Sequence, residues 1–299
     1  MNILLLGCNG QVGWELQRSL QPLGTVVACD FDSPEDRKAD FSQPESLREL
    51  VRRHKPGLIV NSAAHTAVDK AESEPDFARL LNATAPGVVA QEAKALGALL
   101  VHYSTDYVFD GSGTEPRTED APTGPLSVYG STKLEGEELI RASGCRHLIL
   151  RTSWVYAARG GNFARTMLKL AAERDQLNVI DDQIGAPTGA DLLADVTAHT
   201  ARAVLRQPEL GSTYHCVAGG QTSWFGYARF VIEWARQHGL PIKLAPDAIR
   251  PIATSAYPTP AKRPLNSRLD TAKMQRTFGL VLPSWNSGVE RMLREVFSR

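Results

Sequence analysis

Tyr129 and Lys133 stand four residues apart in Tyr129-Gly130-Ser131-Thr132-Lys133. On a helix, positions i and i+4 share a face, so the phenol and the amine would address one site. A phenol with an unperturbed pKa near ~10 is a proton donor at neutral pH. A neighbouring ammonium stabilises the phenolate and lets the donor cycle. That spacing is common by chance, and it gains weight from Tyr103-Ser104-Thr105-Asp106-Tyr107-Val108-Phe109 earlier in the chain. There the hydroxyl of Thr105, with Ser104 as the nearby alternative, would meet a carbonyl or alcohol oxygen beyond the end of a strand.

A second set of residues suits phosphate. Gly7-Cys8-Asn9-Gly10-Gln11-Val12-Gly13 follows an apolar run and opens a helical pattern. Glycines there permit a sharp turn, a close approach of backbone to a pyrophosphate, and tight helix–strand packing. The free N–H groups and positive dipole end of the helix then face the phosphates. The spacing is G-x-x-G-x-x-G rather than the commoner G-x-G-x-x-G. Asp30 ends the next apolar run, near the ~20-residue offset at which a carboxylate accepts hydrogen bonds from a ribose. It would repel a 2′-phosphate, whereas Arg37 and Lys38 would offset that repulsion. NADH and NADPH both stay open. Small residues in Val60-Asn61-Ser62-Ala63-Ala64-His65-Thr66 would let a cofactor lie against the backbone. His65 has no sequence partner that would make it a base.

These residues need elements to hold them. Apolar runs at 3–6, 26–29, 58–60, 99–103 and 147–150 alternate with helical patterns at 11–20, 45–54, 76–96 and 127–142. That alternation predicts an α/β chain, a Rossmann-type doubly wound parallel sheet with a smaller C-terminal substrate-binding lobe. The expected division is residues 1–154 for NAD(P) binding and residues 155–299 mainly for substrate, with some later segments packing back on the sheet. The stretch Ile249–Arg268, rich in Pro, Ala, Thr and Ser, reads as a long functional loop.

Composition narrows the partners. Lys+Arg and Asp+Glu are equal at 33 each in 299 residues, so no bulk field draws the chain to nucleic acid or to a membrane surface. No apolar run approaches the ~18 residues of a spanning helix. The apolar start, Met1 to Leu6, is short and lacks a basic flank, unlike a signal peptide. The four cysteines are widely spaced, without a C-x-x-C pair or nearby His cluster, as suits free thiols in a reducing cytoplasm. A small-molecule partner is expected.

Longer strings sharpen this expectation. They are Gly10-Gln11-Val12-Gly13, Ala63-Ala64-His65-Thr66-Ala67-Val68-Asp69, Ser104 to Phe109, Arg151-Thr152-Ser153-Trp154-Val155-Tyr156, Asp182-Gln183-Ile184-Gly185-Ala186-Pro187-Thr188, and Arg263-Pro264-Leu265-Asn266-Ser267-Arg268-Leu269. On them the chain resembles the extended short-chain dehydrogenase/reductase family, in its branch acting on 4-keto sugar nucleotides. The resemblance covers nearly the whole chain. It implies reduction of the C4 ketone of dTDP-4-dehydro-β-L-rhamnose to dTDP-β-L-rhamnose by NAD(P)H, for O-antigen and other lipopolysaccharide or cell-surface polysaccharide. Tyr129 would donate the proton, Lys133 would lower the tyrosine pKa and bind the ribose, and Thr105 would hold the C4 oxygen. Gly7, Gly10, Gln11, Val12, Gly13, Asp30, Asp40, Phe41, Ala63, Ala64 and His65 would line the cofactor cleft. Asp106 and Trp154 would contact the sugar nucleotide. Members described as homodimers with structural Mg²⁺ imply Glu15 and Asp191 as ligands, although Asp191 stands where those members carry a longer Glu.

Two rivals share the scaffold. One is another sugar-nucleotide enzyme, an epimerase or a 4,6-dehydratase. A dehydratase usually carries an Asp-Glu pair after its threonine, and here Thr105-Asp106-Tyr107 lacks the Glu. The other is a non-catalytic regulatory subunit of the same fold, of the kind that accompanies one methionine adenosyltransferase. The lack of an appended partner-binding tail favours the enzyme.

Overall fold

A computed structural model describes residues 1–297. The strands β1 (Asn2–Leu6), β2 (Thr25–Cys29), β3 (Leu58–Asn61), β4 (Leu99–Thr105), β5 (Arg146–Thr152) and β6 (Thr213–His215) form one parallel sheet in the order β2-β1-β3-β4-β5-β6. The main helices are α1 (Gln11–Ser19), α2 (Pro44–His54), α3 (Ala85–Leu96), α4 (Val128–Ser143), α5 (Phe163–Glu173), α6 (Ala190–Arg206), α7 (Trp224–Gln237) and α8 (Trp285–Phe297).

Helices cover both faces of the sheet, which explains why its strands are apolar almost throughout rather than alternating. Ile3, Leu5, Val60, Val101 and Leu148 pack with Leu16 of α1, Leu193 of α6 and the short helix Ala272–Phe278. Leu4, Leu6, Ile59, Leu100 and Ile149 pack with Leu47 of α2, Val89 of α3 and Ile140 of α4. Order reverses after β2: the chain crosses back over β1 to start β3. The carboxyl ends of β1 and β3 therefore form the switch point, where open α/β sheets bind ligands.

Two features depart from the sequence-based expectation. The helical pattern 76–96 is not one helix but Pro75–Arg79, a π-helical turn at Leu80–Thr84, and α3. Pro86 has no N–H to give the carbonyl of Asn82, and a widened turn accommodates that loss. The turn is used. The Asn82 carboxamide accepts from His65 N at 2.8 Å and donates to His65 O at 3.1 Å, holding the loop after β3. The second departure is in Ile249–Arg268, whose first residues, Ile249–Ile252, are a strand paired in parallel with Leu177–Ile180.

A smaller cluster of Tyr156, Leu168, Tyr227, Val231, Trp234, Val289 and Leu293 gathers α5, α7 and α8 into a second core. The halves are interleaved, because β6, α6 and Ala272–Phe278 return to the sheet. All four cysteines are free and buried. Among the described residues, no helix is long and apolar enough to cross a membrane.

Candidate active site

The loop after β1 meets the loop after β3 at the switch point. Gly7 has φ +83°, and a Cβ there would lie 2.6 Å from the amide nitrogen of Ala63. A Cβ on Gly13 would lie 1.9 Å from the carbonyl oxygen of Gly7. Only glycine fits at either position, so the loop and the start of α1 are locked together. Beside Gly10 the nearest heavy atom would stand 3.5 Å away, leaving room over the helix N-terminus. Asp30 is buried and turns its carboxylate onto this loop, accepting from Asn9 N at 2.8 Å and Phe31 N at 2.9 Å. This glycine cradle, the uncapped end of α1 and the adjacent carboxylate fit a dinucleotide. Gln11 reaches across to the second lobe, donating to Gly161 O at 2.8 Å. Ala63 and Ala64 line the junction. His65 is buried and, contrary to its lone look in sequence, has its Nε2 2.6 Å from Glu74 Oε1. Asp40 lies aside, its carboxylate accepting from Ser42 at the entry to α2, while Phe41 is in the core.

The second set converges at the carboxyl end of β4. Ser127 caps α4, accepting from Gly130 N at 3.2 Å, and so aims Tyr129 on the first turn. Tyr129 is half-buried, its ring edge-to-face with Tyr107 at 5.5 Å. Burial pushes its phenol up to about 12, the neighbouring Thr105 hydroxyl acting to lower it and the nearby Asp106 carboxylate adding to the rise. Thr105 is itself buried and donates to Asp106 Oδ1 at 3.0 Å. Burial raises Asp106 to about 6, although the nearby Ser267 hydroxyl and the hydrogen bond from Thr105 restrain it. Thr105 and Asp106 are therefore a hydrogen-bonded pair near the Tyr129 phenol.

Lys133 shares the helix face but turns inward. Its Nζ donates to Tyr103 O at 2.6 Å and lies 3.2 Å from His102 Nε2, and burial brings it down to about 8. One turn further, fully buried Glu137 accepts from Arg151 Nε at 2.8 Å and Nη2 at 2.7 Å. Burial alone would raise that carboxyl, yet the Arg151 guanidinium holds it below the ordinary range.

Trp154 lies just past β5 with φ +49°, a left-handed conformation that is costly for a bulky residue. Stacking on Trp224 at 3.7 Å holds it there, and Trp224 in turn donates to Gln183 Oε1 at 3.1 Å. Gly185 leaves room for the indole, since a Cβ there would meet Trp154 at 2.9 Å. Backbone strain of this kind gathers at ligand sites.

A profile of the family described as the RmlD substrate binding domain matches residues 1–298. The chain belongs to that family. The dTDP-4-dehydrorhamnose reductase of Escherichia coli (strain K12) is 56% identical over 298 residues, covering 100% of this chain and 99% of the relative. Among solved structures, a dTDP-4-dehydrorhamnose reductase from Clostridium acetobutylicum superposes with TM-score 0.88 at 34% identity, covering 99% of each chain. One from Bacillus anthracis, in complex with NADP, gives TM-score 0.86 at 33% identity, covering 98% of this chain and 99% of that one. The fold is that of the Rossmann-type reductases.

In this RmlD-family chain Glu15 of α1 and Asp191 of α6 stand on helices that pack together, and the Asp191 carboxylate adds to the rise that burial gives Glu15. Asp191 is ion-paired with Arg291, and Glu15 lies 3.7 Å from Arg18. Among the described residues no group of three His, Cys, Asp or Glu side chains is arranged to hold a metal. Two carboxylates beside two arginines do not fit a Mg²⁺ ion within one chain.

Sequence reasoning missed Asn61, His102, Glu137, Trp224 and Ser267. Glu137 had a usable signal, standing four residues beyond Lys133 on the same helix face. The others depend on strand register or on contacts between distant loops.

Proposed function

We propose that this protein reduces the C4 ketone of dTDP-4-dehydro-β-L-rhamnose to dTDP-β-L-rhamnose with NAD(P)H. The observation that carries the reading is Thr105 at the carboxyl end of β4 and Tyr129 on the first turn of α4, at the same end of the parallel sheet as the glycine cradle, in a chain 56% identical to a named reductase over its full length. The bound dinucleotide supplies the hydride. Thr105 orients the C4 oxygen, and Tyr129 gives that oxygen its proton, so one hydride and one proton convert the ketone to the alcohol. Lys133 stabilises the resulting phenolate as an ammonium and binds the nicotinamide ribose. Residues 1–154 hold the cofactor, and Asp106 and Trp154, with the segments after residue 154, hold the sugar nucleotide. NADP in the Bacillus anthracis relative supports NADPH as a substrate, and Arg37, within electrostatic range of the glycine loop, supports acceptance of its 2′-phosphate.

Incubation with NADPH and the 4-keto sugar nucleotide, followed by proton NMR of the product, tests the reading. The L-rhamno alcohol is expected; an unchanged ketone or a C4 epimer contradicts it.

The same resemblance supports a cytoplasmic homodimer through the α1–α6 face. A Mg²⁺ ion there would need carboxylates from a second copy, since one chain offers Glu15 and Asp191 only beside Arg18 and Arg291. Sedimentation with Mg²⁺ and with EDTA tests this: a dimer that dissociates in EDTA supports the shared metal, and a monomer under both conditions refutes the dimer.

A further inference from the structure

Three fully buried polar side chains lie behind the Tyr129 site: Asn61, His102 and Lys133. Asn61 and His102 are register partners on β3 and β4. Their hydrogen bonds leave little choice of proton position. Ala63 N donates to Asn61 Oδ1 at 3.0 Å, so the Asn61 amide nitrogen is the end that faces His102 Nδ1 at 3.0 Å. That nitrogen can only donate, so His102 Nδ1 must accept. A neutral imidazole that accepts at Nδ1 carries its proton on Nε2. The Nε2–H then points at Lys133 Nζ, 3.2 Å away, while Nζ donates to Tyr103 O at 2.6 Å. An ammonium has three donors and no lone pair. It would set donor against donor at His102, whereas a neutral amine accepts there and still donates to Tyr103 O.

We propose that His102 is a positioning residue: with Asn61, it holds Lys133 as a neutral amine in the cofactor-free protein, so that the working ammonium forms only as the cleft fills. The bonds balance simply. One proton is taken from solvent onto Nζ, and the lysine leaves His102 and turns toward Tyr129, one turn away on the same helix. Burial acts in the same direction, bringing Lys133 down to about 8 before the donor conflict is counted. The surrounding groups are few. Glu137, on the lysine's own helix, favours the ammonium but is held by Arg151 of β5 and by Arg141. Tyr129, on that helix too, is neutral at this pH because burial pushes it up to about 12. Asp106 faces Tyr129 at the end of β4, and Tyr103 turns its hydroxyl away to Thr197 at 2.5 Å. His102 is itself held far below the ordinary histidine range by burial, so it does not supply the proton.

The need for an ammonium rests on the reductase reading; the tautomer does not. The first test is nitrogen-15 NMR of histidine-labelled, cofactor-free protein at about pH 7.5, with His102 assigned through His102→Gln. A neutral ring protonated on Nε2 is expected, and an Nδ1–H tautomer or an imidazolium overturns the proposal. The second test is Asn61→Asp, whose carboxylate accepts from Nδ1–H and so makes Nε2 an acceptor for the ammonium. The alkaline fall of kcat/KM for NADPH reports the free enzyme. Its midpoint should rise by at least about one pH unit, a tenfold change in proton affinity, together with a switch of the His102 tautomer. An unmoved midpoint, or a moved one with the tautomer unchanged, overturns the proposal. If Asn61→Asp does not fold, the wild-type tautomer still decides. Failure of wild type to turn over the keto sugar would sink the reductase reading alone.

Discussion

At the scale of the residue, chemistry is set by what burial does to each group. Asp106 is an ordinary carboxyl in sequence, and burial in the site raises it to about 6. A folded pKa above the unfolded one means that the native state binds the extra proton. The associated stability is therefore present at low pH and lost as pH rises through about 6. Asp106→Asn, which mimics the protonated form, should match wild type near pH 4 and gain on it toward pH 7, by at most about 3 kcal/mol. Denaturant melts at the two pH values check this, and a constant difference between the proteins contradicts it. The Tyr-Lys pair was legible because helical spacing alone puts both side chains on one face. The inward turn of Lys133 was not, because it depends on His102 and the Tyr103 carbonyl, which belong to a different element.

Elements decide what those residues can reach. The tight turn at Gly7 and the close contact at Gly13 tie α1 to β1 and β3, so Gly13→Ala should force a backbone shift costing about 1–3 kcal/mol. NADPH affinity should fall with it. Titration fluorescence and a thermal melt measure both, and unchanged binding would show that the cradle does not hold the cofactor. Trp154 offers a parallel case on the other side of the cleft. Trp224→Leu removes a stacked pair worth about 0.5–1.5 kcal/mol and frees the strained residue. The expected result is a several-fold higher KM for the sugar nucleotide with KM for NADPH unchanged; equal shifts in both would argue against Trp154 as a substrate contact. Most strands and the first helices were readable from apolar runs and punctuation. The π turn at Leu80–Thr84 was not, because the period of apolar residues continues through it and Pro86 looks like an ordinary helix-start proline.

Across the whole molecule, the interleaved halves are also joined by specific side-chain contacts between distant segments. Arg263 grips Asp69 with two hydrogen bonds, at 2.9 and 2.7 Å, pinning the segment that carries Asn266 and Ser267 to the short helix Val68–Ala71 that follows β3. This pair is partly exposed, so Arg263→Lys should change stability by no more than about 1 kcal/mol. Loss of the paired geometry should instead raise KM for the sugar nucleotide, leaving NADPH binding intact, as steady-state kinetics with each substrate varied would show. The interleaving of β6 and α6 with the first half was hidden from sequence, since a three-residue strand at Thr213–His215 has no pattern of its own. It becomes a strand only because β5 offers it a parallel edge. The central claim, that Tyr129 gives the proton in a hydride reduction, has one direct test. NADPH oxidation should be followed with dTDP-4-dehydro-β-L-rhamnose for wild type and Tyr129→Phe. Wild type should oxidise one NADPH per ketone, and the variant should bind NADPH normally yet turn over roughly 10²–10⁴-fold more slowly. A wild type that leaves NADPH untouched, or a variant as fast as wild type, would contradict the account.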